Sequence, residues 1–388
     1  MMNRVNVVDK KFKLFFFFAC LFFTLRSYYF YSISLAPGPV IAAAILLFLF
    51  FICNPVLTKA DLRFISILVL IFALSSLGAL VSDKPYINSV IGLVINVIIF
   101  LSIISLKDKI KSSLNVLNYL FLIHALFFLI QLLAYYLFNE KIDFLQPITG
   151  EVQRVSGFER IEDHGGVAVF RPSGLFSEPS SYCAFMITLL WISKKSSFLN
   201  SKIEALVLFT IFISFSISGI VFSICYIFLT NISNLTFKKI LSIIIMSSIF
   251  LFLMQDQIIS YYNYRILNLD SDNSTGERML MFTIFYDLDL IYQLFGSGVG
   301  NDIIDIPLTT IPSLLVYLGI IGTLIFIIYI SVLFIHYKVS IDSTIFLIVI
   351  SFNFYKISNP YVWFILAMLL IVSNKDDYLG SDEKKCNT

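Results

Sequence analysis

Long apolar runs, separated by short charged breaks, make up most of the chain. Many of these runs approach the roughly 20 residues that an α-helix needs to cross a bilayer. The predicted spans lie near residues 14–33, 37–53, 63–81, 87–106, 114–138, 179–193, 203–216, 219–231, 238–254, 308–335, 341–355 and 359–373. The pattern predicts an all-α polytopic membrane protein with about twelve transmembrane helices.

Composition agrees with that class and excludes others. Hydrophobic residues form 59% of the 388 positions and charged residues 13%, whereas a soluble domain carries about 25% charged residues. The formal net charge of +2 predicts no general attraction to nucleic acid. The five cysteines show no CxxC spacing, so neither a disulfide framework nor a zinc site is expected.

Residues 203–231 form either one long tilted helix or two short helices broken near Ser216, Ser218 and Gly219. The distribution of lysines decides between these alternatives, because lysines gather on the cytoplasmic side of a membrane. With two helices and a cytoplasmic N-terminus, 16 of the 19 lysines fall inside, and with one helix only 11 do. The count therefore predicts two helices and a cytoplasmic position for both termini.

This topology predicts that two long connections, residues 139–178 and 255–307, lie on the outer face. Together they hold five of the eight arginines but only one of the 19 lysines, and 15 of the 25 acidic residues. A preference for Arg suggests a task that needs a rigid, bidentate donor, and phosphate recognition is the leading candidate. Ordinary pairing with the acidic residues of the same connections explains the preference equally well.

The chain thus divides into five segments. Residues 1–138 form a five-span segment, whose Lys-rich start followed by a Phe-rich run is read as an uncleaved first span. The other segments are the first outer loop (139–178), a four-span segment with a broken helix pair (179–254), the second outer loop with a surface helix (255–307), and a three-span segment with a cytoplasmic tail (308–388).

The first outer loop ends in the string F-R-P-S-G-L-F-S-E-P-S, residues 170–180, at the entrance to a predicted span. Ser177 is expected to be the N-cap of this helix, with Glu178 and Pro179 in the first turn. A helix N-terminus offers unpaired N–H groups to an anion, and Arg171 lies just upstream. Alternatively, Glu178 only complements the helix dipole, and Arg171 pairs with a nearby carboxylate.

The second outer loop carries Arg265, then Arg278, then G-S-G-V-G-N at residues 296–301. The string S-T-G-E at residues 274–277 fits a capping box, which predicts a helix along the membrane surface over residues 278–295. Two arginines beside a glycine-rich turn could cradle a phosphate. A plain turn between the surface helix and the next span is the alternative interpretation.

These strings, in this order, resemble the signature of the Wzy-type O-antigen polymerases. The resemblance rests on R-P-S-G-L-F-S-E-P-S (171–180), the break F-S-I-S-G (215–219), R265, S-T-G-E-R (274–278), G-S-G-V-G-N (296–301) and Y-L-G-I-I-G (317–322). It covers patches of residues 165–335, whereas the first five spans match only in hydropathy.

The resemblance implies an inner-membrane glycosyltransferase of the type C kind with a periplasmic active site. Such an enzyme transfers the growing glycan from undecaprenyl diphosphate to the next undecaprenyl-diphosphate-linked repeat unit. These two lipid-linked oligosaccharides, membrane lipid and a chain-length regulator are the expected partners. The related O-antigen ligases transfer the glycan to the lipid A core and usually carry a histidine motif after the glycine-rich turn. Residues 305–312 contain no histidine, which favours a polymerase.

The resemblance also implies roles for particular residues. Arg171, Arg265 and Arg278 would stabilise the charge on the leaving diphosphate, and Glu178 would accept the proton of the acceptor hydroxyl. Fixed guanidinium groups make a metal or other cofactor unnecessary, so none is expected. The residues expected to contact substrate are Gly174, Ser177, Gly298, Gly300 and His164, and the reserve bases are His164 and Glu151.

A lipid-linked oligosaccharide flippase is the alternative from a different class of protein. Secondary transporters usually show internal repeats and charged residues near the bilayer midplane. This chain shows no convincing repeat, and nearly all of its charge lies in loops. The sequence therefore favours an enzyme over a transporter.

Two polar residues lie at least seven positions from either end of the fifth predicted span. His124 and Gln131 are seven residues apart and share one helical face. Polar side chains of this kind usually form hydrogen bonds between helices in a membrane, and we expect that role here.

Overall fold

The computed structural model describes residues 2–24, 37–55, 57–79, 87–149, 152–153, 170–231, 284–299, 309–352 and 354–372. These residues are mostly helical and contain no strand, only an isolated antiparallel bridge between Thr309 and Tyr355. In chain order the helices are α1 (Met2–Thr24), α2 (Pro37–Cys53), α3 (Lys59–Ala79), α4 (Ile87–Ser105), α5 (Lys107–Lys111), α6 (Leu117–Phe138), α7 (Gln146–Thr149), α8 (Pro179–Lys195), α9 (Ser201–Ile213), α10 (Ile217–Asn231), α11 (Leu290–Phe295), α12 (Thr310–His336), α13 (Ile341–Ser351) and α14 (Pro360–Val372).

The all-α class predicted from the apolar pattern is confirmed. Helices α2, α3, α4, α6, α8, α12, α13 and α14 begin and end within four residues of predicted spans, whereas α1 begins twelve residues earlier than predicted. Two helical segments, Leu114–Phe138 and Thr310–His336, are long and apolar enough to cross a membrane, judged by length and composition. The span predicted near residues 238–254 lies outside the described residues.

Residues 201–231 form two short helices that fold back on each other, which confirms the predicted break. Phe215 separates α9 from α10, and its φ of 50° is left-handed, so a regular helix cannot continue through it. Tyr226, near the end of α10, donates a hydrogen bond of 2.7 Å to Glu204, near the start of α9. This bond joins the two helix ends that lie away from the break, so the pair is antiparallel.

Helix α8 lies at the centre of the described bundle. Nearly all of its residues are buried, and it contacts α6, α9, α10 and α14. Trp191 near its end stacks on Phe346 of α13, with ring centroids 4.2 Å apart. A helix buried on every side is typical of a core. This core helix begins at Pro179, near the end of the string R-P-S-G-L-F-S-E-P-S (171–180).

Contacts between helix ends show which helices begin at the same end of the bundle. At the start of α8, Ser181 O accepts a 3.1 Å hydrogen bond from Tyr355 Oη. The main-chain oxygen of Tyr355 accepts a 2.6 Å bond from Thr310 at the start of α12. At the opposite end of α8, Lys195 pairs with Asp342 at the start of α13. The helices that follow the two long connections therefore begin at the same end of the bundle.

The single helix predicted over residues 278–295 is wrong in the part that the structure describes. The chain leaves the helical conformation at Leu288 and Asp289, before α11 begins. The Gln293 side chain donates to Tyr286 O and Leu288 O at 2.8 and 2.7 Å. These bonds satisfy carbonyl groups that a continuous helix would have bonded internally, so the interruption is stable.

Candidate functional site

The segment that precedes α8, residues 170–177, runs alongside α6 rather than beyond its end. We call it the R-P-S-G segment. The Phe170 ring stacks on Tyr135 of α6, with centroids 4.4 Å apart and planes at 12°. Further along, Gly174 has a φ of 58°, and a Cβ there would lie 3.5 Å from His124 O. A residue without a Cβ tolerates both the left-handed backbone and the close approach, so the segment descends along α6.

Gln131 of α6 holds the backbone of the R-P-S-G segment. Its side-chain oxygen accepts from the N–H groups of Ser173 and Gly174 at 3.0 and 2.8 Å. Its side-chain nitrogen donates to Ile142 O at 3.0 Å and to Gln153 Oε1 at 2.8 Å. Gln131 is 0% exposed, and these bonds use both donors and both acceptor positions of the amide. The predicted bond between helices is therefore wrong, because the partners of Gln131 are in loops.

Gln153 completes this arrangement from the first long connection. Its Nε2 donates to Gly174 O at 2.9 Å and to Phe176 O at 2.7 Å, and its Oε1 also accepts from Phe144 N at 3.0 Å. Its own N–H donates to the carboxylate of Asp143 at 2.7 Å. The two buried glutamines thus satisfy four main-chain groups of the R-P-S-G segment, as buried backbone requires.

Helix α8 begins with Glu178 as its N-cap, at φ −152° and ψ 156°. The prediction that Ser177 is the N-cap is wrong, because Pro179 is the first helical residue and forces the residue before it into the extended region. Glu178 Oε1 accepts from the hydroxyls of Ser180 and Ser181 at 2.7 and 3.3 Å. The hydroxyls of the first turn therefore hold the carboxylate at the mouth of the helix.

Arg171 is partly buried, and its Nε is shielded from solvent. Among the described residues this Nε has no hydrogen-bond partner. The described ion pairs join Lys194 to Glu204 and Lys195 to Asp342, and none involves Arg171. The alternative in which Arg171 only balances a neighbouring carboxylate therefore finds no support in this part of the chain.

Cys183 connects the surroundings of Arg171 to the break between α9 and α10. The Arg171 charge lies close enough to act electrostatically on the Cys183 thiol. Cys183 Sγ lies 3.0 Å from Ser214 Oγ, and a Cβ on Gly219 would lie 2.6 Å from the same sulfur. The F-S-I-S-G break therefore packs on α8 close to the R-P-S-G segment.

The glycine-rich turn packs on a kink in α12. Gly319 has φ 65° and ψ −178°, which interrupts the helix. The N–H groups of Ser297 and Gly298 donate to Val316 O and Tyr317 O at 2.9 and 3.0 Å. The N–H of Gly298 is therefore bonded to the helix, which favours a packed turn over a phosphate cradle at this residue. The glycine-rich turn and the Y-L-G-I-I-G string form one packed unit.

His124 is fully buried, and neither ring nitrogen has a hydrogen-bond partner among the described residues. Its ring lies between those of Phe176 and Phe185, at centroid distances of 5.2 and 5.6 Å. The interhelical hydrogen bond predicted for His124 is therefore absent from the described part of the chain. The imidazole packs as an aromatic ring between the R-P-S-G segment and α8.

The predicted site residues fall into two groups. Outside the described residues lie Arg265, Arg278, Gly300, His164 and the reserve base Glu151. Among the described residues, Arg171, Gly174 and Ser177 lie in the R-P-S-G segment, next to Glu178 at the start of α8. Gly298 lies apart from them and packs against α12. Sequence reasoning missed Gln153, because a polar residue in a charged loop carries no periodicity. The one available signal was its partner, Gln131, a polar residue within a mostly apolar span.

Among the described residues, no group of three or more His, Cys, Asp or Glu side chains is placed to hold a metal ion. Comparison with models of known protein families gave no match, and comparison with curated proteins gave none either.

Proposed function

We propose that this protein is a membrane-embedded glycosyltransferase that acts on polyprenyl-diphosphate-linked oligosaccharides, an O-antigen-type polymerase of the bacterial inner membrane. In this proposal about twelve helices cross the membrane. Both termini are cytoplasmic, and the two long connections lie on the periplasmic side. The donor is the growing glycan on undecaprenyl diphosphate, and the acceptor is the next lipid-linked repeat unit.

The observation that carries the proposal is the shielded Nε of Arg171, which has no partner among the described residues. Leaving a buried donor unpaired costs roughly 1–3 kcal/mol, and more when the group is charged. Such a cost at a particular residue is understandable when a ligand supplies the missing acceptor. The planar guanidinium fits a carboxylate or a phosphate, so an anionic ligand is expected here.

The start of α8 suits the same ligand. The N-terminus of a helix carries a partial positive charge and unpaired N–H groups, and anions bind there. Arg171 is seven residues before Glu178, the N-cap of this 17-residue helix. A lipid diphosphate fits this setting, because its charged group can face the helix end while its chain stays in the bilayer.

In the proposed reaction, the C1–O bond between the donor glycan and its diphosphate breaks, and an acceptor hydroxyl oxygen forms the new bond to C1. The diphosphate leaves with the electron pair, and Arg171 would stabilise its charge, together with Arg265 and Arg278. Glu178 would take the proton of the attacking hydroxyl. The two serine hydroxyls bonded to Glu178 would keep its carboxylate oriented.

The starts of α8 and α12 lie at the same end of the bundle, which supports a site shared by the two long connections. The start of α12 is joined to the start of α8 through Tyr355. The first described residues after the second connection, Thr309 and Thr310, therefore lie on the same side of the bundle as the start of α8. Arg265 and Arg278 would reach the diphosphate from that side.

The proposal is tested by deleting the gene and examining the surface polysaccharide on a gel. A polymerase deletion leaves lipopolysaccharide capped by a single repeat unit. Complementation with Arg171→Ala or Arg171→Lys should fail to restore long chains, because Lys offers no bidentate donor pair. Lys141→Ala, which removes a cation of the same connection, should restore them.

Three outcomes would contradict the proposal. Long chains in the Arg171→Ala strain would remove its main support. Complete absence of attached polysaccharide in the deletion strain would indicate a ligase. A purified protein that fails to elongate lipid-linked repeat units in detergent, although it restores long chains in cells, would point to a transporter.

A further inference from the structure

Arg171 belongs to the connection that leads into α8, but it lies beside α6 and below the last residue of that helix. It follows Phe170, which stacks on Tyr135, and precedes Ser173, whose N–H is bonded to Gln131. Those two α6 residues lie three and seven positions before the last residue of the helix. At 1.5 Å per residue, Arg171 is about 5 to 10 Å below the end of α6.

The opposite face of α6 is apolar and exposed over the same length. Leu126, Leu133 and Leu137 are 57%, 51% and 67% exposed, and Leu137 is the last residue but one of the helix. An apolar face that continues to the helix end is suited to lipid, so the hydrocarbon region reaches at least this level. The R-P-S-G segment, packed on the other face, then lies at membrane depth.

Non-helical backbone at membrane depth persists only where protein or enclosed water satisfies its N–H and C=O groups. Here two side chains satisfy the backbone of the R-P-S-G segment. Gln131 accepts hydrogen bonds from two of its N–H groups, and Gln153 donates to two of its carbonyl groups. The two amides are also bonded to each other at 2.8 Å, so a change in one affects the other. Both glutamines are 0% exposed.

We propose that Gln131 and Gln153 are positioning residues that hold the non-helical R-P-S-G segment at membrane depth, where it leads into α8, and so set the depth at which Arg171 meets its anion. The identity of that anion, a lipid-linked diphosphate, rests on the proposed function, whereas the placement of the segment rests only on α6 crossing the membrane. Each glutamine acts through Arg171 and touches no reacting atom. Displacement by about 1 Å is enough to lower a rate on the order of 100-fold.

Amide exchange tests how the segment is held, without reference to catalysis. In the full-length protein in detergent, the N–H groups of Ser173 and Gly174 should exchange slowly. Gln131→Leu should make them exchange fast, because it removes their acceptor. Asn96→Leu is the matched control, since Asn96 is a 0% exposed amide of α4 that donates to Ser358 O at 3.1 Å. Unchanged protection in Gln131→Leu would show that Gln131 does not hold the segment.

Elongation kinetics test the positioning. Gln131→Asn keeps the amide but moves it by about one C–C bond, 1.5 Å, and is the variant chosen to fold normally. It should lower kcat about 100-fold. KM should change far less, and Asn96→Leu should leave kcat unchanged. In an Arg171→Ala background, Gln131→Asn should cause no further loss, because the group that it positions is gone.

The same experiments separate failure of this proposal from failure of the proposed function. Equal fold-losses from Gln131→Asn with and without Arg171 would show a general structural effect and overturn the positioning role. A fully active Arg171→Ala protein would overturn the proposed function and the positioning role, while the exchange of Ser173 and Gly174 would still decide whether the segment is held by Gln131. Additive effects of Gln131→Leu and Gln153→Leu on that exchange would contradict a single coupled pair.

Discussion

The contact between the glycine-rich turn and the kink of α12 leaves no room for side chains, and this makes a sharp prediction. Gly296 has φ 78° and ψ 175°, and Gly319 has φ 65° and ψ −178°. Both lie in a region that is essentially reserved for glycine. A Cβ on Gly296 would overlap Tyr317 O and lie 2.6 Å from Gly319 N, and a Cβ on Gly319 would lie 2.5 Å from Gly296 N.

The cost of Gly296→Ala or Gly319→Ala has two parts. The backbone conformation contributes about 1–3 kcal/mol for a residue with a Cβ. The obstructing atoms belong to the backbone and cannot rotate away, so overpacking adds about 1–3 kcal/mol. Each substitution should therefore destabilise the protein by about 2 to 6 kcal/mol. The double variant should lose less than the sum, because one separation of the turn from α12 relieves both clashes.

The free energy of unfolding in mixed micelles is the appropriate measurement, with Gly92→Ala as the matched control. Nothing lies within 4 Å of a Cβ on Gly92, which is in the regular helix α4. Alanine should stabilise that helix by roughly 0.5–1 kcal/mol. If Gly296→Ala or Gly319→Ala behaved like Gly92→Ala, the close packing of the turn on the kink would be refuted.

Two further predictions concern stability. Burial alone would raise the pKa of the Asp61 carboxyl, but hydrogen bonds from Thr58 and Tyr337 outweigh it and lower that pKa. Because the folded pKa is lowered, the stabilisation is present at neutral pH and is lost as pH falls below about 4. Tyr337→Phe should thus cost about 1.5–3 kcal/mol at pH 7, and its difference from wild type should shrink at pH 3; a constant difference would contradict this. Gly219→Ala should cost about 1–3 kcal/mol, because its Cβ would lie 2.6 Å from Cys183 Sγ, and Cys183→Ala should recover part of that loss, whereas additive losses would contradict the contact.

Helix positions were predictable because a long apolar run has few other ways to satisfy its backbone in a bilayer. The N-cap of α8 lies one residue later than predicted, because the backbone restriction that Pro179 imposes on Glu178 prevails over the preference of Ser177 for caps. That restriction is steric, so it prevails. The break at Phe215 was predictable from its Ser and Gly neighbours, but the left-handed residue itself was not.

The partners of the polar residues were not predictable. Gln131 and Gln153 are 22 residues apart, with a helix end and a charged loop between them, and their pairing depends on how that loop folds back. The glycines present a different difficulty. A glycine allows either a phosphate or another main chain to approach closely, and only the observed contact of Gly298 with Tyr317 O distinguishes the two.

Most of the strings that carry the resemblance have a structural explanation in these contacts. Packing accounts for the glycine-rich turn and the kink of α12, and glutamine bonds account for Ser173 and Gly174, but no described contact accounts for Arg171. A chain that kept every glycine string and lost this arginine should therefore keep the fold and lose the proposed reaction. Arg171→Met separates the fold from the reaction, because methionine keeps a long side chain but lacks the unpaired donor.

The unfolding free energy of Arg171→Met should equal or exceed that of wild type, by up to about 1–3 kcal/mol, because the penalty of the buried unpaired Nε disappears. Polysaccharide chains should nevertheless stay at one repeat unit. This combination is the expected signature of a residue retained for a ligand at the expense of stability. A clear destabilisation by Arg171→Met would instead show that the guanidinium supports the fold, and the proposed function would lose the observation on which it stands.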